Sequence, residues 1–105
     1  MTELPPEIQR EVEILRQRYM ASLPDKAEQL EVLAEACDAS GWKTAERLDL
    51  RAMVHQLAGS LGMHGMDCAQ RLAESLDADL EREGLQAAAL HPAVEALIAA
   101  LRDSR

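Results

Sequence analysis

The chain contains no phenylalanine, and its 105 residues include one tryptophan and one tyrosine. A core without aromatic bulk must be filled by Leu, Ala, Ile, Val and Met, and that composition favours helices over a sheet. Positive charge is also scarce. Nineteen acidic residues face eleven basic ones, a net charge of -8. Phosphate backbones need basic patches, so a free-standing nucleic-acid binder is excluded as the leading reading. No apolar run approaches the ~20 residues of a membrane span. The first residues, Met1 to Pro5, lack the basic and apolar regions of a signal peptide. The expectation is a protein of the cytoplasm that binds no membrane. Cys37 and Cys68 are isolated, and in that setting they read as buried thiols, not as a disulfide. The length fits one domain, taken as residues 1–105.

What is present is helical punctuation. Pro5 and Pro6 precede a helix expected over about residues 7–21, with Ile8, Val12, Leu15 and Tyr19 as its apolar stripe. Pro24 is expected to end it and to open a second helix capped by Ser22. That helix carries Leu30, Leu33, Ala34 and Cys37 and stops near Ser40 and Gly41. A third runs from about Trp42 to His64. A fourth starts near Met66, carries Leu72, Leu76 and Leu80, and closes at Gly84. After an Ala-rich connection, His91 and Pro92 open a last helix with Val94, Leu97, Ile98 and Leu101 inward. The fold class is all-α: an antiparallel four-helix bundle with an additional short helix.

The third helix carries the chemical signal. At about 100° per residue, Leu50, Met53, Val54, Leu57 and Leu61 share one arc, the core face. His55 points away from it. Its neighbours on the outer face are Leu48, Arg51, Ala52, Ala58, Gly59 and Gly62. Solvated helix faces normally carry Glu, Lys and Gln. Glycine inside a helix costs about 0.5–1 kcal/mol relative to alanine. Two glycines beside a histidine therefore mark a bare surface that a large partner can approach closely, since a small-molecule pocket would need walls. The plainer reading is that Gly59 and Gly62 only let another helix of the bundle pack close, with His55 an ordinary surface histidine.

The segment HQLAGSLGMHG, from His55 to Gly65, resembles the signature of histidine-containing phosphotransfer (HPt) domains. The resemblance extends to Leu76 and Asp77 on the next helix and covers nearly the whole chain. It implies a bundle with a phosphorylatable histidine exposed in mid-helix. Such domains are not kinases. They take a phosphoryl group from the aspartate of one receiver domain and give it to that of another. On this resemblance His55 is the phospho-acceptor and Asp77 the residue that orients its imidazole. Leu48, Arg51, Ala52, Ala58, Gly59 and Gly62 form the partner-binding surface. The partners implied are receiver domains of response regulators or hybrid histidine kinases. No cofactor is expected in the domain itself, because the divalent metal belongs to the receiver.

The chemistry agrees. An imidazole is substantially neutral near neutral pH, so a ring nitrogen is free to attack. A carboxylate on the other nitrogen would hold the tautomer. Three residues depart from the family pattern. Ala58 stands where a lysine is frequent, with Arg51 one turn earlier as the substitute cation. His64 stands where Phe, Leu or Met is usual. Asp77 is one methylene shorter than the usual Glu, which puts direct contact with His55 in question. Ser60 has no triad partner, and the histidines and cysteines share no metal-ligand spacing. Residues 40–75 balance four basic against four acidic side chains, so the region around His55 does not repel an acidic receiver pocket. The reading is a monomeric phosphoryl shuttle. Its main rival is a pseudo-HPt adaptor that binds a receiver or kinase without being phosphorylated. A more distant rival is a scaffold that dimerises through the Ala- and Gly-rich face.

Overall fold

Tyr19, Leu23, Ala27, Leu30, Ala34 and Cys37 follow one another at intervals of three and four residues, a single helical line that passes Pro24 without a change of phase. The computed structural model, which describes residues 4–82 and 87–103, shows the consequence. A single 35-residue helix, α1, runs Pro6–Ser40 with Pro24 inside it. The break expected at Pro24, and with it the additional short helix, is absent. Proline removes one backbone donor and crowds the preceding turn. Pro24 lies on the exposed side, and Leu23 and Ala27 on the buried line hold the helix continuous through it. Ser22 is not a cap. Its hydroxyl donates to the Tyr19 carbonyl at 2.6 Å.

Helix α2 spans Thr44–Met63, α3 spans Asp67–Glu81 and α4 spans Ala87–Arg102. Pro92 lies inside α4, so His91 and Pro92 do not start it, and Ala87 to Leu90 belong to the helix and not to a connection. Gly84 lies outside the described residues. Two turns are set by glycines in the left-handed region. Gly41 (φ 73°) ends α1, with the Trp42 amide donating to the Cys37 carbonyl. Gly65 (φ 73°) follows α2, with the Met66 amide donating to the Leu61 carbonyl. Both are the six-to-one closure that leaves a helix through a left-handed residue. The signature glycine ten residues after His55 is thus a turn residue.

Each helix packs on two others, α1 and α3 both lying against α2 and α4. Side-chain ties fix the antiparallel directions. Tyr19 on α1 meets Ser60 near the end of α2 at 2.6 Å. Arg47 near the start of α2 donates to the carbonyls of Leu80 and Arg82 at the end of α3, 3.1 and 3.0 Å away. His91 on α4 lies 3.5 Å from Asp38 on α1. The core is aliphatic, with Leu50, Val54, Leu57 and Leu61 facing Ala69, Ala73, Leu76 and Leu80. Met53 packs against it half-buried. Val94, Leu97, Ile98 and Leu101 close it from α4. Trp42 is buried at the α1–α2 turn, its indole N–H on Asp38 at 2.8 Å. No described helix is long and apolar enough to cross a membrane.

One stretch departs from the expected packing. Ile8, Val12 and Leu15 continue the core line of α1 but lie exposed, because α1 outruns the bundle at its N-terminal end. The thiols also divide. Cys37 is buried as expected, whereas Cys68, in the first turn of α3, is exposed.

Candidate functional site

His55 sits in the middle of α2, its side chain 74% exposed. The core residues Val54 and Leu57 on either side of it hold the helix rotation, so the imidazole is aimed outward by the packing of its neighbours. Its Nδ1 lies 2.9 Å from Oδ2 of Asp77 on α3. The shorter carboxylate reaches the ring directly. On α3, Ala73 lies one turn before Asp77 and Leu76 next to it, and both are buried in the core.

Asp77 is itself held. Its Oδ1 accepts from Nε of Arg51 at 3.2 Å, and Nη2 of Arg51 donates to Glu81 at 2.7 Å. Partial burial pushes the Asp77 carboxyl up, but the hydrogen bonds from His55 and Arg51 and the positive charge of Arg51 outweigh it. The carboxyl is left below its ordinary value and ionised. An ionised carboxylate only accepts, so the hydrogen bond requires the proton on Nδ1 of His55. Nε2 then carries the free lone pair, and among the described residues no protein atom takes it. The arrangement is an oriented nitrogen nucleophile with its other nitrogen anchored.

Of the residues expected around His55, three are placed otherwise than expected: Gly62, Ala58 and Arg51. Leu48, Arg51 and Ala52 line a shallow depression with the ring. Gly59 is exposed, and a Cβ there would meet nothing within 4 Å, so the helix surface one turn after His55 is bare. Gly62 behaves otherwise. A Cβ there would come within 2.7 Å of the Gln70 side chain on α3, so this glycine serves helix–helix clearance and leaves the outer face. Ala58 is half-buried against the core and contributes only an edge. Arg51 is tied to two carboxylates of α3 and buttresses Asp77; it does not project freely toward solvent beside the ring.

His64 and His91 stand apart from the site. The His64 ring stacks on Tyr19, centroids 4.2 Å apart, at the end of α2. This flat partner explains a histidine where an apolar residue is usual. His91 lies between Asp38 and Glu95. Ser60 bonds to Tyr19 and is spent on the α1–α2 joint. Arg47 and Glu81 are the site-supporting residues that periodicity missed. Their only sequence signal is a spacing of one helical turn from Arg51 and Asp77, which marks a face and not a contact.

The family model of the Hpt domain matches residues 14–104. Among curated proteins and among solved structures, none matches the chain. Domains of this family are phosphocarrier modules of two-component signalling and are not kinases. The matched span takes in every residue of the site and all but the first turns of α1, and the chain belongs to the Hpt domain family.

Proposed function

We propose that this protein is a cytoplasmic phosphoryl shuttle. His55 accepts a phosphoryl group from the aspartyl phosphate of one receiver domain and passes it to the aspartate of another. The observation that supports this most directly is the pairing of a solvent-facing ring with a carboxylate at its Nδ1. Nε2 attacks phosphorus, the N–P bond forms, and the P–O bond to the receiver carboxylate breaks. The proton on Nδ1 stays, and the positive charge that develops on the ring is balanced by Asp77. The reverse sequence delivers the group to the second receiver. The acyl phosphate is already activated, so the domain needs little beyond an oriented nucleophile, and the divalent metal is supplied by the receiver. Leu48, Ala52 and Gly59 are the surface on which the receiver docks.

The test is transfer of labelled phosphate from a panel of phosphorylated receiver domains to the purified protein, with His55→Gln alongside. Label on the wild type alone, lost in acid and stable in base, is the expected result. Binding of a receiver without label on His55 would move the reading to an adaptor.

A further inference from the structure

The core line of α1 does not stop where the bundle does. Leu4, Ile8, Val12 and Leu15 continue it toward the N-terminus, and each is between 44% and 58% exposed. From Tyr19 onward the same line is covered by α2 and α4, beginning with Ser60 and His64 on the tyrosine ring. The uncovered turns lie mostly before residue 14, ahead of the span that the family pattern requires. With Leu4 just ahead of the helix, they form a seam of about three turns with the 3–4 spacing by which two helices pack.

We infer that this seam binds a second copy of the chain, helix against helix and antiparallel. The charges flanking the seam select the occupant. Glu7, Glu11 and Glu13, with Arg10 among them, precede Arg16 and Arg18, so the segment is net acidic at its start and basic at its end. Glu11, Arg16 and Arg18 are exposed, and among the described residues none of them forms an ion pair within the chain. An antiparallel copy sets Val12 against Leu15 and Ile8 against Tyr19, and places Glu11 of each chain beside Arg18 of the other. The fold excludes the parallel alternative on steric grounds. Both chains would bring α2 onto the seam at the level of Tyr19, in the same place. In the antiparallel pair the second helix stops against the last turn of α2. There its Leu4 and Ile8 meet Met63, which stands 84% exposed at the end of α2. The two bundles lie at opposite ends, and His55 of each remains open, so the pairing is independent of phosphotransfer.

A two-helix seam of this length falls below the ~1,200 Å² of a standard interface, so the association is weak and depends on concentration. Sedimentation equilibrium of the full chain, from micromolar to millimolar, is expected to show a monomer–dimer equilibrium. Leu15→Glu abolishes the dimer. Glu11→Arg weakens it about tenfold by turning two attractive pairs repulsive. Adding Arg18→Glu to Glu11→Arg restores it, and adding Arg16→Glu does not. All four positions are exposed in the monomer, and unchanged circular dichroism verifies that each variant folds. A monomer throughout the range would assign the seam to a different protein and overturn the inference. So would a dimer that survives Leu15→Glu, or one rescued by Arg16→Glu in place of Arg18→Glu.

Discussion

The Asp77 carboxylate bridges two residues of α2: Oδ2 lies 2.9 Å from Nδ1 of His55 and Oδ1 lies 3.2 Å from Nε of Arg51. One side chain of α3 thus sets both the tautomer of the nucleophile and the position of the nearest cation. Asp77→Asn removes the charge and lets the amide offer a donor where Nδ1 already carries a proton. The expected loss in the rate of phosphotransfer is about a hundredfold, the lower end of what a positioned proton partner contributes. Receiver affinity should be unchanged, since Asp77 lies behind the ring. Single-turnover transfer measured beside a binding isotherm separates the two.

The same bridge makes a pH prediction. The Asp77 carboxyl is held below its ordinary value, the His55 and Arg51 hydrogen bonds and the Arg51 charge overcoming its partial burial. A group whose pKa is depressed on folding stabilises the fold fully above its unfolded value, about 3.9. That contribution is lost as pH falls through the folded value. Nuclear magnetic resonance of the carboxyl carbon should find Asp77 titrating below the other aspartates. In Arg51→Ala and in His55→Gln the midpoint should move back upward. No movement in either variant would mean that the bridge does not exist in solution.

On the proposed function, Arg51 would act on transfer through Asp77. Arg51→Ala frees the carboxylate to rotate, so a loss of about tenfold in transfer rate is expected, smaller than that of Asp77→Asn. Arg51→Lys keeps a charge but cannot span both carboxylates, because its ammonium is a single point donor. It should recover only part of the rate. Full recovery would show that the charge alone suffices.

The interior of the bundle was legible in the sequence because burial there follows helical period. Leu50, Val54, Leu57 and Leu61 fell on one arc, and all four are buried. Pro24 was misleading because proline is a local signal and the core line is not. The unbroken phase from Tyr19 through Leu23 to Ala27 outweighed one missing backbone donor. Ile8, Val12 and Leu15 show the converse limit. Periodicity reports which side of a helix is apolar, not whether a neighbour reaches it. The direct His55–Asp77 contact was open at the level of sequence, because whether a side chain one methylene shorter reaches the ring depends on how α2 and α3 pack, which residue spacing does not state. Gly59 and Gly62 looked alike, three residues apart, and only Gln70 tells them apart.

That difference between glycines can be measured. Gly59→Ala adds a methyl that meets nothing within 4 Å, in a helix where alanine is the better former. It should raise stability by about 0.5–1 kcal/mol. Gly65→Ala forces a side chain into φ 73° and should lower it by about 1 kcal/mol. Gly59→Gln should likewise raise stability, since glutamine is also a better helix former than glycine, and yet weaken receiver binding. Urea unfolding and a binding titration read the two effects apart. Unchanged receiver affinity in Gly59→Gln would remove Gly59 from the docking surface.

The two thiols should behave as different chemical species. Burial pushes the Cys37 thiol up, and the surrounding Asp38, Glu46 and Asp49 carboxylates add to this while Arg47 opposes it. Thiolate is the reactive form, so Cys37 is protected both by access and by protonation. Cys68 stands exposed at the start of α3, within reach of a reagent in solution. Titration of the native protein with an aromatic disulfide reagent should release one equivalent quickly, absent in Cys68→Ser. The second equivalent should appear only at the rate of unfolding, and in denaturant both should react at once. Two fast equivalents in the native state would mean that α1 opens at Cys37 far more readily than a fully buried core position allows.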